Sequence, residues 1–148
     1  MKIDDSSQYE VIGEHDGSWY FTIGQRGGWH LDPKFMSQLK GKIKPLYVID
    51  KNVNNNTIIV GPKSETLVDK FTIKDVHWIN ISDKKQVIDY KNLTVRIRHL
   101  GELIPINNLS TTNSKLSIKL AKQAFGVAPG QAAVLYQGNQ VLGGGIIY

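Results

Sequence analysis

The chain has 148 residues, 41% of them apolar, with a formal net charge of +5 and no cysteine. Such a composition specifies a folded protein, as one compact domain or two small ones, and not a disordered tail. Without cysteine, the sequence holds no disulfide, thiolate metal site or cysteine nucleophile, and no run approaches the roughly 18 apolar residues of a membrane-spanning helix.

The opening residues MKIDDSSQYE lack the apolar core of a secretion signal, so a soluble cytoplasmic protein is expected. Next comes GEHDGSWYFTIGQRGG, Gly13 to Gly28. Asp16-Gly17 is a turn signal and SWYFTIG is rich in aromatic and β-branched residues, which predicts a hairpin across EVIGEHDGSWYFTI. The glycines fit neither a dinucleotide nor a Walker phosphate loop. His15 with Glu14, Asp16 or His30 makes no convincing metal set, because neighbouring strand residues point to opposite faces. Gln25-Arg26 before Gly27-Gly28 could bring an arginine fork to a phosphate. A surface arginine beside a turn is the plain alternative.

One short helical turn is predicted over Lys34 to Lys40, after Pro33. PLYVIDKNVNNNTIIVG reads as a second hairpin, whose runs Leu46 to Ile49 and Thr57 to Val60 flank an asparagine-rich turn between Lys51 and Asn56. A boundary is expected near Asp69 to Lys74, where the charge balance changes. Nine Lys/Arg and nine Asp/Glu precede Ile73, whereas nine Lys/Arg and four Asp/Glu follow from it, which carries the entire excess. A positive excess in one half suits a polyanionic partner, although ordinary solvated lysines would give the same count.

The second half, DVHWINI, NLTVRIRHLG, ELIPIN, KLSIKLA, AAVLYQG and QVLGGGIIY, is a series of short β segments, which points to a small antiparallel barrel or sandwich. In NLTVRIRHLG, period two puts Leu93, Val95, Ile97 and His99 on a core face and Thr94, Arg96, Arg98 and Leu100 outside. KLSIKLAK likewise turns Leu116, Ile118 and Leu120 inward and Lys115, Ser117 and Lys119 outward. If these strands are neighbours, the outward cations form a basic stripe able to track a phosphate backbone. Gly138-Asn139 marks a tight hairpin, Pro129-Gly130 a turn, and Gly143 to Gly145 a bulge or close backbone approach. No Ser-His-Asp or paired-carboxylate arrangement emerges. The residues alone leave open a polyanion-binding module, a small enzyme with an unrecognised site, and a structural or protein-interaction module.

Three segments, in order, resemble one family. GEHDGSWYFTIGQRGG resembles the G-x-H-x-G…YTIGQR-x-G segment of bacterial and organellar tRNA-specific 2-thiouridylases. PLYVIDKNVNNNTIIVG is similar to the hairpin that follows there, and AFGVAPGQAAVLYQGNQVLGGGII to the closing A-x-TPGQ-x-x-V-x-Y…CLGGG-x-I segment. The resemblance implies a mainly β chain: residues 1–72 as the family's small central module and 73–148 as its C-terminal antiparallel β-barrel. It implies a portion that positions the tRNA anticodon arm and catalyses nothing by itself, with no cofactor or metal of its own. A separate N-terminal catalytic domain would bind ATP with Mg, adenylate the wobble uridine and receive sulfur from a donor protein onto paired cysteines.

Onto this sequence the resemblance carries Gly13, His15, Gly17 and Gly24 as framework of the central motif, with Thr22, Ile23, Gln25 and Arg26. It carries Pro129, Gly130, Gln131 and Gly143, Gly144 and Gly145 in the barrel. The expected tRNA contacts are Gln25, Arg26, Arg96, Arg98, Lys115 and Lys119. Val127-Ala128 stands where Val-Thr is common, Val141 replaces a cysteine outside the sulfur-transfer pair, and Gly28-Trp29 replaces the commoner Gly-Leu.

Overall fold

A computed structural model describes residues 2–3, 9–38, 44–79, 92–112 and 114–148. The chain divides into two compact units, Met1–Leu67 and Val68–Tyr148. The division precedes the expected 72/73 position because one long strand, Leu67–Trp78, runs straight through the segment where the charge balance changes.

The first unit is built on a four-stranded sheet. Its strands are β1 (Lys2–Ile3), β2 (Glu10–Val11), β5 (Tyr47–Asn52) and β6 (Thr57–Gly61), in the order β2-β1-β6-β5. β1 runs parallel to β6, and the other pairs are antiparallel. β5 and β6 are the expected asparagine-turn hairpin, and Asn56 adopts the left-handed φ of 51° that asparagine tolerates. A two-stranded pair, β3 (Gly13–Glu14) with β4 (His30–Leu31), and the short helix α1 (Pro33–Gln38) complete the unit. Lys40, the expected end of that helix, lies outside the described residues. Ile12, Phe21, Val48, Ile58 and Val60 form the core, against which Trp29 and Phe35 pack.

The expected hairpin across Asp16-Gly17 is not what forms. β3 pairs with β4 instead, and Ser18–Tyr20 is a turn of 3-10 helix. Side-chain chemistry overrides strand propensity here. His15 Nδ1 accepts from the Gly17 amide at 3.1 Å, and Asn56 Oδ1 accepts from the Ser18 amide at 2.8 Å. Both amides are thereby withdrawn from any ladder. Phe21 is then turned into the core, while Trp19 and Tyr20 stay exposed.

The second unit is a closed six-stranded barrel. β7 (Leu67–Trp78), β8 (Leu93–Arg96), β9 (Ile104–Thr112), β10 (Lys115–Phe125), β11 (Ala132–Gln137) and β12 (Gln140–Ile147) close in the order β10-β7-β12-β11-β8-β9. Closure removes the unpaired edges that would otherwise template aggregation. Period-two alternation sends Leu93 and Val95, then Leu116, Ile118 and Leu120, into the interior as expected. Each such burial contributes on the order of 1.5–3 kcal/mol.

The triple glycine sits where the wall is tightest. Two residues of β7, Asp75 and Val76, stand against the single Gly145 of β12, between the pairs Gly144↔His77 and Ile146↔Lys74. A methyl group on Gly144 would lie 2.5 Å from the Ala133 carbonyl oxygen, and one on Gly145 would lie 2.6 Å from that of Lys74. These glycines serve close backbone approach at a bulge, as expected.

Candidate nucleic-acid interface

Arg96 and Tyr136 lie on the outer face of neighbouring strands. β8 and β11 pair antiparallel with Val134 opposite Arg96 and Tyr136 opposite Thr94. Arg96 and Tyr136 are therefore diagonal neighbours on that face, within reach of long side chains. The Arg96 guanidinium lies over the Tyr136 ring, 5.3 Å from its centroid. Its Nε is buried and has no hydrogen-bond partner among the described residues.

β8 ends at Arg96, and the chain then turns. Gly101 donates to the Arg98 carbonyl at 2.8 Å, and Leu100 takes a φ of 58°. The turn corrects one expectation: Ile97 is still buried, but His99 is exposed and not on the core face. The alternation fails at His99 because the strand has already ended. Arg98 points back along the barrel, where its Nη2 donates to the Gly126 carbonyl and its guanidinium lies 5.9 Å over the Phe125 ring.

Pro129, Gly130 and Gln131 form the neighbouring turn. Gln131 donates its backbone amide to the Ala128 carbonyl at 3.3 Å, and Gly130 has a φ of 87°. Proline followed by a glycine of positive φ is the signature of a type II turn. The Gln131 side chain closes the turn by accepting from the Ala128 amide at 3.2 Å. Two bonds tie the turn to the end of β12: Gly130 to the Ile147 carbonyl at 2.9 Å, and Ile147 to the Gln131 carbonyl at 2.8 Å. Together these elements enclose an open hollow of about 490 Å³, with Arg96, Arg98, His99, Gln131, Val134 and Tyr136 in its wall.

Lys115 and Lys119 lie elsewhere on the barrel. β9 separates β8 from β10, so the expected side-by-side stripe does not form. Val95 pairs with Ile104 while Lys119 pairs with Asn108, an offset of roughly 13 Å along β9 at about 3.3 Å per residue. Lys115 instead shares the Tyr148 ring with Lys74, at 3.6 and 5.1 Å from its centroid. Lys119 borders a smaller polar hollow with Lys70, Asp69 and Ser117. The barrel thus carries separate cationic patches.

In the first unit, the Gln25 side chain is occupied within its own turn. It accepts from the Thr22 amide at 3.2 Å and donates to the Gly27 carbonyl at 3.4 Å. Gly24 donates to Val48 at 2.8 Å and Val48 to Gln25 at 2.9 Å, which docks the turn onto β5. Arg26 bridges Tyr47 through its backbone and leaves its side chain exposed. His15, bonded through Nδ1 to Gly17, also packs edge-on to Phe21 at 5.3 Å. Gly13 pairs with Leu31, directly under the strand that carries His30.

Sequence reasoning passed over Tyr136, Phe125 and Tyr148 as partners of the cations. Alternation in AAVLYQ does turn Tyr136 outward, but its position beside Arg96 depends on strand order. Among the described residues, no group of three or more His, Cys, Asp or Glu could hold a metal ion. No helix among them is long and apolar enough to cross a membrane.

Comparison with known proteins defines the class first. Residues 68–147 match the family model described as "Aminomethyltransferase beta-barrel domain", and residues 2–62 match the "tRNA methyl transferase PRC-barrel domain". The chain belongs to the tRNA-specific 2-thiouridylase family, to whose C-terminal portion it corresponds. It is similar to the tRNA-specific 2-thiouridylase MnmA of Nostoc punctiforme, with 33% identity over 138 residues. The Wolbachia (subsp. Drosophila simulans) and Aquifex aeolicus proteins of that name are 38% and 32% identical. Each match covers 93% of this chain but 36%, 34% and 35% of the respective relative. The chain spans about a third of the length of these relatives.

Proposed function

We propose that this chain holds tRNA for a uridine 2-thiolation carried out by groups it does not itself contain. The observation that carries this reading is the arginine face of the barrel, where Arg96 and Arg98 are each braced over an aromatic ring. Braced guanidinium groups lose less freedom on meeting a phosphate than solvated lysines do. The names of the relatives supply the substrate class. Arg26, Lys115 and Lys119 add charge that sets register without reading sequence. The anticodon arm, which contains the wobble uridine, is the part of tRNA to be held.

Neither ATP with Mg nor a sulfur carrier finds a matching set in these residues. The glycine spacings do not form a phosphate loop, no group of three or more His, Cys, Asp or Glu among the described residues could hold a metal ion, and the sequence has no cysteine. The reading therefore assigns adenylation, persulfide chemistry and the contact with a sulfur-donor protein to an N-terminal catalytic domain. The chain alone is inactive, and the whole enzyme works in the cytoplasm.

Titration of the chain with tRNA at about 50 and 200 mM salt tests the reading, and affinity should fall steeply between them. Absence of binding at the lower salt overturns it. A second reading, a protein-interaction module, has one observation in its favour: Trp19 and Tyr20 are adjacent, 62% and 69% exposed, with ring centroids 5.7 Å apart. Binding of a protein domain in place of tRNA would favour it.

A further inference from the structure

We propose that the hollow between β8, β11 and the Pro129-Gly130 turn is a pocket for one unpaired ribonucleotide, held by stacking on Arg96 as well as by charge. This rests on the tRNA-holding reading and narrows it from a charged surface to a single-nucleotide site.

At about 490 Å³ the hollow is far larger than one phosphate needs, and it falls within the roughly 300–1,000 Å³ of pockets that take small organic ligands. Base-paired RNA offers no base that could enter it, because paired bases stay stacked inside the helix. An unpaired nucleotide can swing out and fill the space.

The wall contains two arginines, a histidine, a glutamine and a tyrosine, and none of its described lining residues carries a carboxylate. A ligand that is anionic on one side is favoured there. Val134 and the Tyr136 ring, both on the outer face of β11, supply apolar surface suited to a base.

Arg96 is already braced on the protein side. Its guanidinium rests on Tyr136, so one side of the cation is already backed by an aromatic ring. Guanidinium planes are platforms on which splayed-out bases stack in RNA recognition. Its Nε has no acceptor among the described residues, whereas Arg98 is tied to Gly126. Arg96 is thus the stacking residue, and Arg98 brings positive charge to the phosphate at the rim. Gln131, whose Oε1 is fixed by the Ala128 amide, holds its side-chain amide in one orientation at the wall.

Fluorescence anisotropy on the 148-residue chain tests this, with a single-stranded RNA oligonucleotide and a duplex of equal length as probes. The single strand should bind about tenfold more tightly than the duplex at the same salt. Arg96→Lys keeps the charge but not the planar fork, and should lower single-strand affinity about tenfold with a change of less than about twofold for the duplex. Tyr136→Leu should do the same and Tyr136→Phe should not, which separates loss of the ring from a folding defect. Uridine monophosphate should compete with the single strand where inorganic phosphate at equal concentration does not.

Equal affinity for the two RNAs, or equal competition by phosphate, reduces the hollow to an anion site and overturns the proposal. If Arg96→Lys and Tyr136→Leu fold and bind the single strand like the wild type while tRNA binding persists, the pocket fails and the tRNA-holding reading stands. If the wild-type chain binds no RNA, both fail.

Discussion

Arg98 reaches across 28 positions of sequence to donate a hydrogen bond to the backbone carbonyl of Gly126. The bond joins the turn after β8 to the end of β10, so a side chain expected to bind RNA also fastens the barrel wall. Arg98→Ala should therefore lose stability as well as tRNA affinity. The residue is exposed, so the stability cost should be about 1 kcal/mol, below the roughly 1.5–3 kcal/mol of a buried hydrogen bond to a charged group. Denaturant unfolding beside a tRNA titration would measure both effects. A variant that weakens binding at unchanged stability would show that the Gly126 bond contributes nothing.

Arg96 and Arg98 together should account for about two phosphate-equivalents of charge. Replacing both with glutamine should shallow the plot of log affinity against log salt by roughly 1.4 to 1.8 units, at about 0.7–0.9 per phosphate contact. Lys115→Gln with Lys119→Gln is the comparison, since those lysines occupy other patches of the barrel. A slope unchanged by the arginine pair would remove the β8–β11 face from the interface.

Local pattern made much of the barrel legible. The alternation of Leu93 with Val95, and of Leu116 with Ile118 and Leu120, follows from a period of two meeting a buried face. The asparagine turn was equally legible, because few residues other than glycine take the φ of Asn56. Non-local relations were not. Tyr136 meets Arg96 only because β11 lies beside β8, and β9 separates the arginines from Lys115 and Lys119 only because of strand order. Trp19 and Tyr20 have strong strand propensity, yet a hydrogen bond from 38 residues away fixes them in a 3-10 turn. No window of sequence around Trp19 contains Asn56.

Gly144→Ala should be among the most damaging single methyl additions to the barrel. The new carbon would meet the Ala133 carbonyl oxygen, which belongs to the adjoining backbone and cannot rotate away. A cost of about 3 kcal/mol is expected, at the upper end for overpacking. Gly138→Ala is the control. That glycine has a φ of 58° and open space around it, so only the left-handed penalty of about 1 kcal/mol applies. Paired denaturant midpoints test the contrast, and equal losses for the two variants would contradict the close approach of β11 and β12.

Asn56→Gly isolates the contact that shapes the aromatic turn. Glycine accepts the positive φ at position 56 without strain, so the backbone of the β5–β6 turn should persist. What disappears is the Oδ1 acceptor for the Ser18 amide. That amide lies in a part-buried bond, and its loss should cost about 1–2 kcal/mol. Ser18, fully buried, also holds an Oγ without a hydrogen-bond partner among the described residues. The turn carrying Trp19 and Tyr20 should then open locally before the unit unfolds. Hydrogen exchange at Ser18 should accelerate while exchange at Val48 and Val60, in the paired strands, changes little. Uniform acceleration across the unit would mean that the Asn56 contact supports the whole fold and does not act on the aromatic turn alone.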